Sequence, residues 1–185
     1  MKKIALILTA AVLSVSLLQS CDKVKEEVKA NVDLQSTEVS FDIPMINSTN
    51  DNTAMGTFSA TINVDSIIKA ANAKLGAGNI TSAKIKSMSI QLTNSDDSTN
   101  FSNLESCTAS FSTDAKQDMI VIASVSNNPD VPASYLELSP NTDLELKDYF
   151  NATTFNYTLT GKARRITGHS LHALATVKYG ILVGL

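Results

Sequence analysis

Between Leu171 and Val183 every second residue is apolar: Leu171, Ala173, Ala175, Val177, Tyr179, Ile181 and Val183. A period of two is the pleat of a β-strand, and a helix would scatter these side chains around its axis. The same alternation places Phe155, Tyr157, Leu159, Gly161 and Ala163 on one face, opposed by Asn156, Thr158, Thr160 and Lys162. Ile166 to His169 is expected to turn the chain between these two strands as a hairpin, with Gly168 supplying an unusual backbone angle.

Earlier segments repeat the pattern. Val39, Phe41 and Ile43 alternate up to Pro44, and Phe58, Ala60, Ile62 and Val64 form a second strand. In Ile80 to Leu92 the residues Met88, Ile90 and Leu92 are in phase while Ile85 is one step out, which predicts a bulge near Lys86 and Ser87. Leu104 to Phe111 and Tyr135 to Leu138 also read as strands. Met119 to Val125 is apolar in both phases and is expected to be a central strand covered on both faces. Leu144 to Phe150 fits either a strand or one helical turn. A single helix is expected: Asp65 caps it, Ile67, Ile68, Ala71 and Leu75 share a face, and Gly76 stops it. That face should cover one end of a sheet core. About eight or nine strands and one short helix over 65–75 amount to an all-β fold, an antiparallel β-sandwich over residues 37–185.

The N-terminus differs in kind. Lys2 and Lys3 precede a mostly apolar run from Ile4 to Leu18, and Gln19, Ser20 and Cys21 follow. The run is shorter than the roughly 20 residues that a spanning helix needs. Leu18-Gln19-Ser20-Cys21 resembles the cleavage and lipidation signal of bacterial lipoproteins. The resemblance implies a leader over 1–20, a diacylglycerol thioether on Cys21 and usually a third chain, such as palmitate, on the new amino group. Residues 21–36 are then expected to be a charged tether, with Lys23, Lys25, Glu26, Glu27 and Lys29 close together. Charged residues just after the lipidated position also resemble the surface-export signals of Bacteroidota-type lipoproteins. Asp22 instead matches the retention rule of enteric bacteria. The resemblance favours the outer membrane over the inner.

Loss of Lys2 and Lys3 lowers the 15 basic residues to 13 against 18 acidic ones, a net charge of −5. That sign argues against nucleic acid as a partner. With Cys21 acylated, Cys107 has no partner for an intrachain disulfide. Stability must come from the core, although an exported protein could hold disulfides.

No nucleophile elbow, P-loop or zincin motif occurs, and no cofactor is implied. His169 and His172, at odd spacing, would point to opposite faces of a strand. Asp96 and Asp97 sit in an oxygen-rich run, Asn94 to Asn100, that lacks the EF-hand order, so a solvated turn is expected over a calcium site. Arg164 and Arg165, with Lys162, form a small basic cluster suited to a phosphate or sugar acid, or else a solvated strand end. Cys107 shares the phase of Ala109 and Phe111 and is expected to be a buried, inert thiol. Asp97-Ser98-Thr99 resembles the O-glycosylation pattern of Bacteroidota exported proteins, with Ser98 as acceptor.

The expected protein is a lipid-anchored, non-enzymatic binding or accessory module of the cell envelope. Its partners are the membrane, through Cys21, and an envelope protein or glycan. Its ligand loops are expected among 47–53, 94–103 and 127–133. The rival expectation is a structural subunit of a surface fibre or envelope assembly, motivated by a long apolar last strand free to pair at an edge.

Overall fold

A computed structural model describes residues 29–36, 38–50 and 52–185; the leader, Cys21 and the first residues of the tether lie outside these. Among the described residues nine strands form one antiparallel, curled sheet. They are β1 (Lys29–Gln35), β2 (Val39–Ile43), β3 (Asn52–Thr61), β4 (Ile80–Leu92), β5 (Leu104–Thr113), β6 (Ile120–Val125), β7 (Tyr135–Pro140), β8 (Thr154–Ala163) and β9 (Leu171–Gly184). Among the described residues the single α-helix, α1, is Val64–Ala71. The strand order is β1-β9-β4-β7-β6-β5-β8-β3, and β2 continues the line of β1 along β9. The sheet folds over at the short β6–β7 ladder, so that one half faces the other across the core, as in a sandwich.

Curling brings the two ends of the strand order together. Phe41 of β2 stacks on Phe58 of β3 at 5.0 Å. Gly56 makes the close approach possible. Its φ is +118°, it sits at a bulge in β3, and a methyl group there would lie 2.6 Å from the Asp42 carbonyl oxygen. A side chain at this position would be both strained and obstructed.

The core is built from the alternating faces. In β8 Phe155, Tyr157, Leu159 and Ala163 are buried, and in β9 so are the seven alternating residues from Leu171 to Val183. Phe111 lies within 6.0 Å, centroid to centroid, of Tyr149, Phe155, Tyr157 and Tyr179. Across the core, the hydroxyls of Tyr157 and Tyr179 are 2.8 Å apart and form a hydrogen bond. Burial pushes both phenols above their ordinary range, so both stay protonated. Tyr157→Phe should lower stability by about 1–3 kcal/mol, because it strands one buried hydroxyl. Tyr157→Phe with Tyr179→Phe together should recover most of that loss; urea denaturation of the two singles and the double measures it.

Several expectations hold and several change. The bulge in β4 falls between Ile85 and Ser87, where the phase slip puts it. The helix starts one residue early and ends at Ala71: Asn63 Oδ1, not Asp65, accepts the Ser66 N–H at 2.9 Å. The Asp65 carboxylate instead takes the Ala77 N–H and Lys69. Val64 and Ile68 are buried, so the helix covers one end of the core as expected, but Ala71 is exposed, Asn72 and not Gly76 ends the helix, and Leu75 buries beyond it. Leu144 to Phe150 resolves into a 3-10 turn at Lys147–Tyr149, with Leu146, Tyr149 and Phe150 buried beneath the sheet. β6 is not covered on both faces, because Met119 and Val121 are exposed. β8 and β9 are not a hairpin: β8 pairs with β3 and β5, while β9 pairs with β1, β2 and β4. Residues 164–170 arch between the two halves, and Gly168 has no left-handed backbone. β9 is therefore an interior strand, which removes the edge that motivated the fibre reading. The charged segment expected as a tether over 21–36 runs into the sheet at Lys29, because Val32 and Leu34 bury against the core.

Registers fix the two ends of the molecule. Lys29 pairs with Gly184 and Ile80 with Val183, so the described chain enters the sheet at the end that also holds α1 and the last strand's terminus. The connections 44–50, 93–103, 126–134 and 164–170 all lie at the opposite, distal end.

Candidate functional site at the distal loops

All the loops expected to carry a ligand meet at the distal end, and buried side chains bind them to one another. Asn100, Asn103 and Asn128 are buried there. Asn100 Oδ1 accepts the Ser102 N–H, and its Nδ2 donates to the Asp96 carbonyl. Asn103 Nδ2 donates to the Ser98 and Ile166 carbonyls at 3.1 and 3.0 Å, joining two loops. Asn128 Nδ2 donates to the Phe101 and Leu104 carbonyls at 2.7 and 3.1 Å. Thr99 Oγ1 accepts the Gly168 N–H, and Thr167 Oγ1 accepts the Ile46 N–H. The sequence pattern did not single out these asparagines, since Asn in a loop usually faces water. Their density among Ser, Thr and Asp was the available signal.

In the basic cluster Arg164 is the most covered, and Arg165 is exposed. Arg164 donates from Nη1 to the Ser102 and Leu104 carbonyls and from Nη2 to the Asn128 carbonyl, at 2.9, 3.2 and 2.7 Å. Arg165 grips Asp130 with both Nη atoms and also reaches Ser102. The Arg165 guanidinium holds the Asp130 carboxyl below the usual carboxylate range. Lys162 is paired with Glu105 on the strand. Arg164 and Arg165 tie loops together, and each of the three cations has a partner within the protein.

The acidic run divides in function. Asp96 Oδ1 accepts from Ser98 N, Ser98 Oγ and Thr99 N at 2.8, 2.8 and 2.7 Å. These bonds hold its carboxyl below the ordinary range and make it the cap of a turn. Asp97 is exposed and forms no ion pair among the described residues. Ser98 is exposed on the same turn, its hydroxyl donating to Asp96. His169 sits 3.8 Å from Asp96 and His172 sits 2.5 Å from Asp42, so each histidine has its own acidic neighbour. Among the described residues no three His, Cys, Asp or Glu side chains converge as a metal site would need. Cys107 lies in the core, where burial pushes its thiol up to about 12, a value at which it is neither thiolate nor ligand at neutral pH.

Two concavities flank the loop 126–134. One, about 230 Å³, is polar and open, lined by Ser95, Asp96, Asp97, Asn100 and Ser134. The other, about 330 Å³, lies beside β7 and is lined mainly by apolar groups, among them Val125, Val131 and Tyr135. A wider trough of about 430 Å³ crosses the outer sheet face over Gly180, bordered by the Lys86–Asp33 ion pair. No protein-family profile matches the chain, and no curated protein matches it either.

Proposed function

We propose that the protein is a lipid-anchored envelope module that binds a partner with its distal loops and carries out no reaction of its own. One observation carries this reading. The chain enters the sheet at Lys29, at the end opposite the four clustered loops. Seven residues, 22–28, separate Cys21 from that point. Covalent geometry limits their reach to at most about 28 Å. A diacylglycerol on Cys21 would hold the proximal end against a bilayer and turn the loops outward. Each buried CH₂ of the lipid adds about 0.8 kcal/mol, so two or three chains hold such a domain firmly. The net charge of −5 leaves the attachment to the lipid and not to anionic headgroups. An envelope location follows, with the outer membrane preferred on the resemblance of the tether.

Cys21→Ser decides the matter. The wild-type protein should partition into the detergent phase of a Triton X-114 extraction and incorporate an alkyne-palmitate label, whereas the variant should do neither. Equal partitioning of the two would overturn the anchor.

A further inference from the structure

The sheet is split between β6 and β7, and a buried side chain holds the split open. Their ladder contains only Ala123 opposite Pro140 and Ser124 opposite Ser139. Beyond it, β6 should continue toward Glu137, but its chain is drawn away toward β5. The Asn128 N–H donates to the Glu105 carbonyl at 2.9 Å, and the Asn128 side chain takes the Phe101 and Leu104 carbonyls. Pro129 and Pro132 then exclude a return to the ladder.

The alternation of antiparallel hydrogen bonds shows which groups are left over. The Leu92 N–H donates to the Ser134 carbonyl at 2.7 Å, so the even-numbered residues of β7 turn their main chain to β4. The Asn141 N–H donates to the Ile122 carbonyl at 2.7 Å, which agrees: odd-numbered residues turn toward β6. Tyr135 and Glu137 therefore aim their N–H and C=O groups into the cleft of about 330 Å³, with no strand opposite. Two residues of spacing along one strand is the repeat of another extended chain. The walls are apolar, from Val125, Val131, Ala133 and Leu136, and Val131 and Tyr135 are more than half exposed, at 62% and 52%. Glu137 is the one charged group of the lining and forms no ion pair among the described residues.

We propose that this cleft takes an extended peptide segment of a partner protein, added as a strand along the odd-numbered edge of β7, with a lysine or arginine opposite Glu137. Main-chain bonds to Tyr135 and Glu137 supply the register, and β-branched side chains of the peptide fill the apolar walls. The inference deepens the distal-binding reading but is independent of the lipid, so a failed anchor and a failed cleft are separate results.

The test uses the full-length protein in detergent, isotope-labelled for amide NMR, and the peptide acetyl-TVKVTV-amide. Saturable shifts confined to residues 125–137 are expected. N-methylation of the peptide's alternate amides, in the register that faces β7, should weaken binding about tenfold or more, the loss of two hydrogen bonds. Glu137→Lys should weaken it about threefold or more, and a peptide with glutamate for lysine should restore it. Equal binding of the methylated peptides, shifts elsewhere on the molecule, or no binding at roughly 1 mM peptide would overturn the proposal. So would saturation of the cleft by chitohexaose in place of the peptide.

Discussion

Removing residues 176–185 should abolish cooperative unfolding altogether. The deletion takes Val177, Tyr179, Ile181 and Val183, all buried, from an interior strand between β1 and β4. Full burial of such side chains is worth about 1.5–3 kcal/mol each, so the loss approaches the whole stability of an ordinary domain, about 5–15 kcal/mol. β1 and the first half of β4 lose their only shared neighbour, and Tyr157 loses its hydroxyl partner. Differential scanning calorimetry should show no transition. A retained transition with altered self-association would instead fit the fibre-subunit reading, in which the last strand serves a neighbouring molecule.

Arg164→Ala should have the next largest effect, with a different signature. One guanidinium holds carbonyls of Ser102, Leu104 and Asn128, and its side chain is 27% exposed. A charged donor contributes about 1.5–3 kcal/mol per bond, and water can replace part of that at the accessible edge, so a net loss of about 3 kcal/mol is expected. Arg164→Lys should not rescue it, because a single ammonium cannot span three acceptors fixed by a planar fork. Hydrogen exchange should rise in 98–104 and 126–134 before the core strands open. Uniform exchange across the sheet would show that Arg164 does not organise the distal end.

Why some of this was legible in the sequence follows from the range of the interactions. Alternation in β8 and β9 reports a local pleat and a buried face, and both were readable. Pairing is a property of distant residues. Ile166 to His169 suggested a hairpin turn, but the Arg164 and Arg165 N–H groups bond the Asn103 carbonyl beside β5 while the Thr167 N–H bonds the Ile46 carbonyl after β2, so the segment passes from one half to the other. Val32 belongs to a period of four with Val24 and Val28 and also to a period of two with Ala30 and Leu34; pairing with β9 selects the second. In β6 the apolar pattern marked a strand but not its setting, since Val121 remains exposed. At the distal end Asp96, Arg164 and Arg165 were conspicuous as charges and proved to be ties. The unpaired edge of β7 left no trace in composition, because main-chain groups are the same in every residue.

Lys29 and Gly184 lie side by side at the proximal end. A fluorescent reporter fused after Leu185 would accordingly emerge at the proximal end, which faces the bilayer under the proposed lipidation, and leave the distal loops clear. Cargo placed in the largely exposed stretch 47–50 would instead leave the molecule at the distal end.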